Sequence, residues 1–443
     1  MKIMALNMVA CLLACSGRAP GGYSREQLLE PQTCAQCHPD HFRDWSRSMH
    51  AHASDDPVFV AMNQRAQREA QVGSFCIACH APLAVRQGLS NDGLNLDTLP
   101  ASSKGVTCFF CHTTDRIDGT HNNPLHLADG LSMRGSLHDP VDNPAHDSVY
   151  SMLHDRDLAT SSDLCGSCHD VVSPHGAAIE RTFLEWQGSV FAQPDGATCG
   201  QCHMDQSVQP MAIARGSHVP LRRYHSHAFV GVHVLHDGAQ DVASFLDTTL
   251  QSALCVAQPN GGSAGIRVIV DNVAAGHGFP SGAAQDRRLW FEVNVYKDDR
   301  LLHHDVWRIN DCMFDAAGHR THMFWEAASY QSNTLPAAGS VANHVVQSFP
   351  RVGFLPEVPD RVTLQIRLQA IGRDVLDDLV RSGDLSPDFT TPTYDLGAPL
   401  EWTAGTAKQR YVERGIYPVS CVTLTNLNVA APSSPAPKGC DEP

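Results

Sequence analysis

The sequence lacks three features that would place it in common functional classes. No apolar run approaches the ~20 residues that a transmembrane helix needs, which argues against a permanent membrane span. Positive charge is scarce, with 32 Lys and Arg against 47 Asp and Glu and a formal net charge of −15. Binding to nucleic acid or another polyanion is therefore disfavoured. The C-terminal half shows no convergent carboxylates and no nucleophile–base pair, which argues against a hydrolase there.

The N-terminus, MKIMALNMVACLLACSG, predicts export. Lys2 precedes a short apolar stretch, as in a secretory signal. The letters LLAC (12–15) resemble the lipobox of bacterial lipoproteins, so we expect residues 1–14 to be removed, Cys15 to be lipidated and residues 15–29 to form a tether. The alternative is an ordinary cleaved signal with an incidental cysteine. Ser16 favours the outer membrane among such lipoproteins, so we expect a periplasmic or cell-surface protein that reaches the membrane only through its lipid anchor.

Cysteine and histidine are abundant, with 16 and 25 copies, and many of them share one pattern. The motif Cys-x-x-Cys-His occurs five times, although this composition gives roughly 0.03 occurrences by chance. The copies are CAQCH (34–38), CIACH (76–80), CFFCH (108–112), CGSCH (165–169) and CGQCH (199–203). Zinc knuckles do not need a histidine directly after each second cysteine, and thioredoxin-like redox pairs do not come in fives.

The motif spacing suits covalent attachment of haem. Two thiols three positions apart can add to the two vinyl groups of one haem, and the adjacent histidine then reaches the iron as an axial ligand. The sequence therefore predicts five covalently attached haems c. The predicted attachment cysteines are Cys34, Cys37, Cys76, Cys79, Cys108, Cys111, Cys165, Cys168, Cys199 and Cys202. The predicted proximal ligands are His38, His80, His112, His169 and His203.

Five irons would also need up to five second axial ligands. Fourteen of the remaining histidines lie within residues 41–236, alongside the motifs, so candidates outnumber positions. Placement favours His146, His121 in a loop after the third motif, and His175, which is too close to the fourth motif to turn back easily on its own haem. Met49 and Met204 are alternative ligands that would raise a reduction potential, but the excess of histidine favours bis-histidine ligation.

The chain divides into two domains that differ in their motifs and in their pattern of apolar and polar residues. Residues 30–245 hold all five motifs, and we expect a haem-packed, mainly α and irregular pentahaem domain with helices at 57–71 and 178–190. Residues 250–430 predict an all-β, sandwich-like domain, interrupted by a helix at 373–382. Alternating apolar and polar residues predict its strands at 266–273, 288–298, 361–371 and 419–428. The Pro- and Ser-rich residues 431–443 predict a disordered tail.

Four cysteines lie after the motifs: Cys255, Cys312, Cys421 and Cys440. In an oxidising compartment they could form two disulfides in any of three pairings. Cys440, in the predicted tail, is the least convincing partner.

Taken together, the motifs and the residues between them resemble a known family. The series CAQCH, W-S-R-S-M-H (45–50), GVTCFFCH (105–112), CGSCHDVV (165–172), ERTFLEW (180–186), CGQCHM (199–204) and HAFVG (227–231) resembles the multihaem cytochromes c related to cytochrome c554. The element NVAAGHGFPSG (272–282) resembles the β-rich domain that accompanies some of them. The family type carries four haems, whereas this chain has five motifs and a long appended domain.

The resemblance implies an electron carrier with mostly bis-histidine haems. It points to His50 and His227 as distal ligands, with His52 and His225 as their rivals, and it keeps a histidine at His277, which we therefore expect to be a further distal ligand. Some relatives are enzymes acting on nitrite or hydroxylamine at a haem with an open face. In the pentahaem nitrite reductases lysine commonly replaces the catalytic motif histidine, and all five motifs here end in histidine.

Three functions follow as hypotheses. The first is electron transfer in the cell envelope through closely packed haems, with redox proteins as partners. The second is oxidation or reduction of a small nitrogen or sulfur compound at one five-coordinate haem. The third makes the β-rich domain a docking or polymer-binding module. Electron transfer is favoured, because no motif departs from the ligand pattern of a carrier.

Overall fold

The computed structural model describes residues 22–216, 218–233, 249–258, 262–339, 344–396, 399–405, 409–413 and 417–423, with Val242 and Leu246. The chain forms two compact units. The motif unit comprises Met1–Pro174, Pro194–Gly238 and Leu376–Asp388 and carries all five Cys-x-x-Cys-His motifs. The β unit comprises His175–Gln193, Ala239–Val375 and Phe389–Pro443. Each unit is therefore assembled from separate stretches, whereas the sequence predicts continuous ranges.

The motif unit is built from short helices joined by irregular segments. Its α-helices are Arg25–Leu29 (α1), Pro31–Cys37 (α2), Pro39–Ser46 (α3), Met49–His52 (α4), Pro57–Ala70 (α5), Ile77–His80 (α6), Pro82–Arg86 (α7), Cys108–Thr113 (α8), Ser161–Gly166 (α9) and, beyond an intervening helix, Cys199–His203 (α11). Short 3-10 turns occur at Leu96–Thr98, Ala101–Ser103 and Met152–His154. Its strands are Thr114–Ile117 (β1), Leu125–Leu127 (β2), Met133–Gly135 (β3), Ser148–Tyr150 (β4), Val171–Val172 (β5), Met211–Ala212 (β7) and Leu221–Arg222 (β8).

The longest helix, α5, confirms the helix predicted at 57–71. The Asp56 side chain accepts a hydrogen bond from the backbone N–H of Phe59 at 2.8 Å, and Pro57 opens the first turn, where its missing N–H costs nothing. The helix ends at Gln71, whose φ of 51° is left-handed.

The core of the motif unit lies directly beside the motifs. Phe109 and Phe110, the two central residues of CFFCH, are almost fully buried with Leu28, Leu83 and Leu125. A second cluster forms around the CIACH motif and consists of Ile77, Ala81, Ala84 and Leu96. Burial of the residues inside the motifs fixes the helices that present the cysteines.

The β unit contains two antiparallel five-stranded sheets. Its strands are Ala178–Glu180 (β6), Leu250–Ala257 (β9), Gly265–Asn272 (β10), Arg288–Lys297 (β11), Arg300–Ile309 (β12), Cys312–Phe314 (β13), Arg320–Thr321 (β14), Ser329–Gln331 (β15), His344–Phe349 (β16), Arg361–Gln369 (β17), Thr393–Asp395 (β18), Leu400–Thr403 (β19), Gln409–Glu413 (β20) and Tyr417–Thr423 (β21). One sheet has the order β16-β10-β9-β21-β20, and the other has β12-β11-β17-β18 with β19 also on β17. A three-stranded sheet has the order β14-β13-β15.

Burial in these strands follows the sequence pattern. Strand β17 alternates half-buried and buried residues along its whole length, as expected for one buried face. Strand β9 is buried at seven of its eight positions, because it is central in its sheet. The strands predicted at 266–273, 288–298 and 361–371 are confirmed as β10, β11 and β17. The one predicted at 419–428 is found as β21, and residues 424–428 lie outside the described residues.

The two helices predicted for the later part of the chain have different outcomes. The helix at 373–382 is confirmed as Arg373–Arg381 (α12). The prediction of one helix over 178–190 is wrong at its start, where Ala178–Glu180 is a strand and the helix is only Thr182–Gln187 (α10). Arg181 has φ −129° and ψ 17°, which is not helical, so helix formation begins after it.

A disulfide between Cys255 and Cys421 joins strands β9 and β21 of the β unit. The two cysteines are direct cross-strand partners in the antiparallel ladder. Of the three pairings that the sequence allows for the four cysteines after the motifs, only one contains this bond. Cys15, the signal peptide at 1–14 and the tail at 431–443, including Cys440, lie outside the described residues. Within the described part of the chain, no helix combines the length and the apolar character needed to cross a bilayer.

Candidate haem sites

Each motif is presented on or at the end of a short helix. Thr107 and Thr198 precede the CFFCH and CGQCH helices, and each side chain accepts a hydrogen bond from the helix's first turn. At the last motif Gln201 returns a hydrogen bond to the Thr198 backbone, which completes a capping box. A helical turn places the two cysteines three positions apart on one side, as attachment to a single porphyrin requires.

The motif histidines are oriented by backbone carbonyls. The Nδ1 atoms of four of them lie within hydrogen-bond distance of a carbonyl oxygen: His38 with Ile213 at 2.9 Å, His80 with Ala53 at 2.9 Å, His112 with Arg134 at 2.6 Å and His203 with Val230 at 2.9 Å. A carbonyl can only accept, so Nδ1 carries the proton and Nε2 keeps its lone pair. This is the arrangement that fixes the tautomer and ring direction of a metal-bound histidine.

Cysteines of different motifs lie close together in two groups. Hydrogen-bond contacts join the thiols of three pairs taken from different motifs: Cys34 with Cys108, Cys79 with Cys168, and Cys165 with Cys199. Burial raises the pKa of Cys76 and of Cys111 to about 12, so both thiols are neutral at pH 7. The first motif thus neighbours the third, and the fourth neighbours both the second and the fifth.

Three motif histidines each have a second histidine nearby, with almost the same distance between the two ring centres in all three pairs. The ring centres are 6.4 Å apart for His38 and His146, 6.3 Å for His112 and His227, and 6.2 Å for His169 and His50. A metal–imidazole bond is about 2.0–2.1 Å long and the ring centre lies ~1.1 Å beyond the nitrogen, so two imidazoles on opposite faces of one iron have centres about 6 Å apart. The ring separation in each pair would suit two axial ligands of one haem iron.

The histidines opposite the motifs are held in the neutral form that a ligand needs. Burial, reinforced by neighbouring imidazoles, lowers the pKa of His50 to about 3 and that of His227 to about 4. Burial also lowers the pKa of His146. Nδ1 of His227 donates to the carbonyl of His225 at 2.9 Å, and Nδ1 of His146 donates to that of Asp147 at 3.1 Å. Their orientation matches that of the motif histidines.

The turn that carries His50 is held by the residues just before the third motif. The indole N–H of Trp45 donates to the carbonyl of Val106 at 2.8 Å, and the Val106 N–H donates to the carbonyl of His50 at 2.8 Å. Gly105 has a φ of +62°, and a Cβ there would lie 2.5 Å from the carbonyl oxygen of Ala51. Only glycine allows the two segments to approach this closely.

Two other histidines near the motifs make hydrogen bonds that compete with iron binding. Nε2 of His52, the rival of His50, lies 2.9 Å from the carbonyl of Ser46. His154 uses both ring nitrogens, with the Ser151 hydroxyl at 2.9 Å and the Cys111 carbonyl at 2.8 Å. His225, the rival of His227, supplies the carbonyl that orients His227.

The remaining predicted ligands lie in different surroundings. His121 is exposed and contacts the Thr120 hydroxyl at 3.0 Å, in the same loop in which the Asn123 N–H donates to the carbonyl of Ser167. His175 is exposed and belongs to the β unit. His277 also belongs to the β unit and donates from Nδ1 to the carbonyl of Gly278 at 2.8 Å. Their role as ligands stays a prediction.

The His277 loop is held by a carboxylate from another part of the β unit. Glu185 accepts hydrogen bonds from the Gly278 N–H at 3.0 Å and from the Ser281 hydroxyl at 2.8 Å, and burial raises its pKa. The Gly282 N–H donates to the Thr182 hydroxyl at 2.9 Å. The ERTFLEW and NVAAGHGFPSG elements, which are far apart in sequence, therefore form one hydrogen-bonded structure.

Sequence reasoning missed one histidine in this region. The ring of His41 lies 5.7 Å from that of His38 and 4.8 Å from that of His227, and it also contacts Tyr224 at 4.6 Å. Burial, followed by the neighbouring imidazoles, lowers its pKa to about 2. Its position three residues after His38 is the signal that could have indicated it.

The motifs, the oriented histidines and the imidazole pairs are the features expected of a c-type cytochrome. Residues 33–113 match the family model of cytochrome c554 and c-prime. The fold is similar to the crystal structure of a penta-haem cytochrome c552 from Thermochromatium tepidum, with a TM-score of 0.61 and 18% identity over 85% of this chain and 99% of that one. No curated protein gives a significant sequence match. Residues 33–113 are therefore similar to cytochrome c554, and the chain has the fold of a penta-haem cytochrome c with a β-rich C-terminal region.

Proposed function

We propose that the protein is a pentahaem electron carrier of the cell envelope whose haems are mostly ligated by two histidines. The observation that carries the proposal is the set of three imidazole pairs at 6.2–6.4 Å. Each haem, when bound, supplies an iron that takes up and releases one electron. Two histidines at one iron leave no position open for a substrate, so such a haem serves electron transfer and not binding.

The protein residues supply the rest of the function. The ten motif cysteines would hold the porphyrins through thioethers, and the carbonyls of Ile213, Ala53, Arg134 and Val230 orient four proximal rings. The thiol contacts between motifs support a route from the first motif to the third, and from the fourth to both the second and the fifth. Close approach of the attachment edges favours rapid electron exchange between neighbouring haems.

Location and partners are proposed from the sequence. The apolar N-terminus and Cys15 support export and attachment by lipid, in the periplasm or at the cell surface and on the outer membrane. The net charge of −15 supports docking to redox proteins with a basic surface, and such docking weakens with salt. Association measured at low and high ionic strength tests this proposal.

Haem counting and electron paramagnetic resonance test the electron-transfer proposal. Intact-mass measurement should give five haems per chain. His146→Ala, His227→Ala and His50→Ala should each convert one low-spin haem to high-spin, because each removes one of two axial ligands. His138→Ala is the control, since His138 is 74% exposed and stacks on Tyr150. Unchanged spin states in all three variants would refute the pairing.

The same spectra separate a carrier from an enzyme. An electron carrier of this kind should not respond to nitrite, hydroxylamine or cyanide at its paired haems. A high-spin signal in the unaltered protein that disappears when one of these ligands is added would instead support catalysis at a five-coordinate haem.

A further inference from the structure

One short segment contacts axial histidines of three different motifs. The segment Tyr224–Val230, called the 224–230 segment, carries His227, whose ring lies 6.3 Å from that of His112. Its Phe229 ring packs edge-on at 4.4 Å against His50, and its Val230 carbonyl accepts from Nδ1 of His203 at 2.9 Å. The position of this segment therefore affects ligands of the third, fourth and fifth motifs together.

One carboxylate binds three donors of the 224–230 segment, which is also hydrogen-bonded to residues 205–207 near its start. Oδ2 of Asp44, in helix α3, accepts hydrogen bonds from the Tyr224 hydroxyl, from the Ser226 hydroxyl at 2.8 Å and from the His227 N–H at 3.4 Å. The Asp44 side chain is only 16% exposed. Helix α3 starts at Pro39, directly after the first motif, so the anchor has a fixed relation to the motif helices.

The anchor matters because the segment has little regular structure of its own. Residues 224–230 form no helix or strand beyond an isolated bridge between His225 and Gln206, and Phe229 has a left-handed φ of 47°. Hydrogen bonds to a carboxylate are stronger than those to a neutral acceptor. Loss of Asp44 would deprive two side-chain donors and one backbone donor of this acceptor. We propose that Asp44 is a positioning residue that holds His227 opposite His112, a role that rests on the proposed haem ligation.

The test compares substitutions at Asp44 in the haem-loaded full chain. Asp44→Ala should add up to one high-spin haem per chain, with all five haems still attached, because His227 is no longer held in place. Asp44→Asn should keep the low-spin state, since its carbonyl oxygen can still accept from the same donors. Asp40→Asn is the matched control: it removes the same charge from the same helix, and among the described residues Asp40 hydrogen-bonds to Arg43 and not to the 224–230 segment. A high-spin gain in Asp44→Ala equal to that of Asp40→Asn overturns the proposal.

A second variant tests the same role in case Asp44→Ala does not fold. Tyr224→Phe combined with Ser226→Ala removes two of the three donors and leaves the charge, and it should raise the high-spin fraction less than His227→Ala does. No rise in this double variant overturns the positioning role. His227→Ala separates the two levels of the argument: if it adds no high-spin haem, the ligand assignment itself is wrong, and if it does while Asp44→Ala does not, only the role of Asp44 is wrong.

Discussion

Replacing the Cys255–Cys421 disulfide with two alanines should strongly destabilise the β unit. The bond joins residues 166 positions apart in sequence. It connects strand β9, one of the first long strands of the β unit, to strand β21, the last. A cross-link across a loop of that length removes ~17 cal/mol/K of chain entropy from the unfolded state, which corresponds to about 5 kcal/mol at 25 °C. We expect Cys255→Ala with Cys421→Ala to lose a large part of this free energy of unfolding.

Differential scanning calorimetry of the haem-loaded chain measures this loss. Ile269→Val is the packing control, because Ile269 lies in the same buried cluster as Cys255 and Cys421 and losing one methyl group there costs about 1 kcal/mol. The double alanine variant should lower the melting temperature of the β unit several times more than the control does. Equal shifts in the two variants would refute the entropic argument and reduce the disulfide to a packing contact.

Three further predictions concern single positions. Burial raises the pKa of Asp311 to about 6, so the folded β unit binds this proton more tightly than the unfolded chain and its stability should fall by ~3 kcal/mol as the pH rises from about 4 to above 6. Asp311→Asn should flatten that dependence in urea unfolding at several pH values, and a parallel pH profile would contradict it. Gly105→Ala should add high-spin signal, because its Cβ would displace the turn that carries His50, while Gly88→Ala, at φ +68° with open space around it, should not. His277→Ala should turn one haem high-spin, because it removes a predicted distal ligand. An unchanged spectrum would show that His277 does not ligate iron.

Local sequence patterns predicted much of the secondary structure. Helix α5 and strands β10, β11 and β17 follow from capping residues and from the alternation of apolar and polar side chains. The predicted start of the 178–190 helix is wrong because Arg181, which follows the preceding strand, adopts a conformation that its own sequence neighbourhood does not specify. Periodicity indicates the type of an element better than it indicates where the element begins.

The site was predictable only where its chemistry is local in sequence. The five motifs fix ten cysteines and five histidines through spacing alone. The partner of a motif histidine is a contact across the fold: His146 faces His38, and neither position carries a sign of the other. Asp44 was missed for the same reason, since an aspartate on a short amphipathic helix looks like a solvated side chain until its three donors are brought to it.

The division of the chain has a consequence for how the protein can be shortened. Residues 175–193, which lie between the fourth and fifth motifs, belong to the β unit, and there Phe183 and Trp186 are 8% and 7% exposed. A truncation after the last motif would remove most of the β unit and leave these aromatic side chains on a segment without its core. Conversely, a fragment starting at residue 250 would lack Glu185 and leave the 276–282 loop without its acceptor. Neither unit can therefore be cut out as one continuous stretch of the chain.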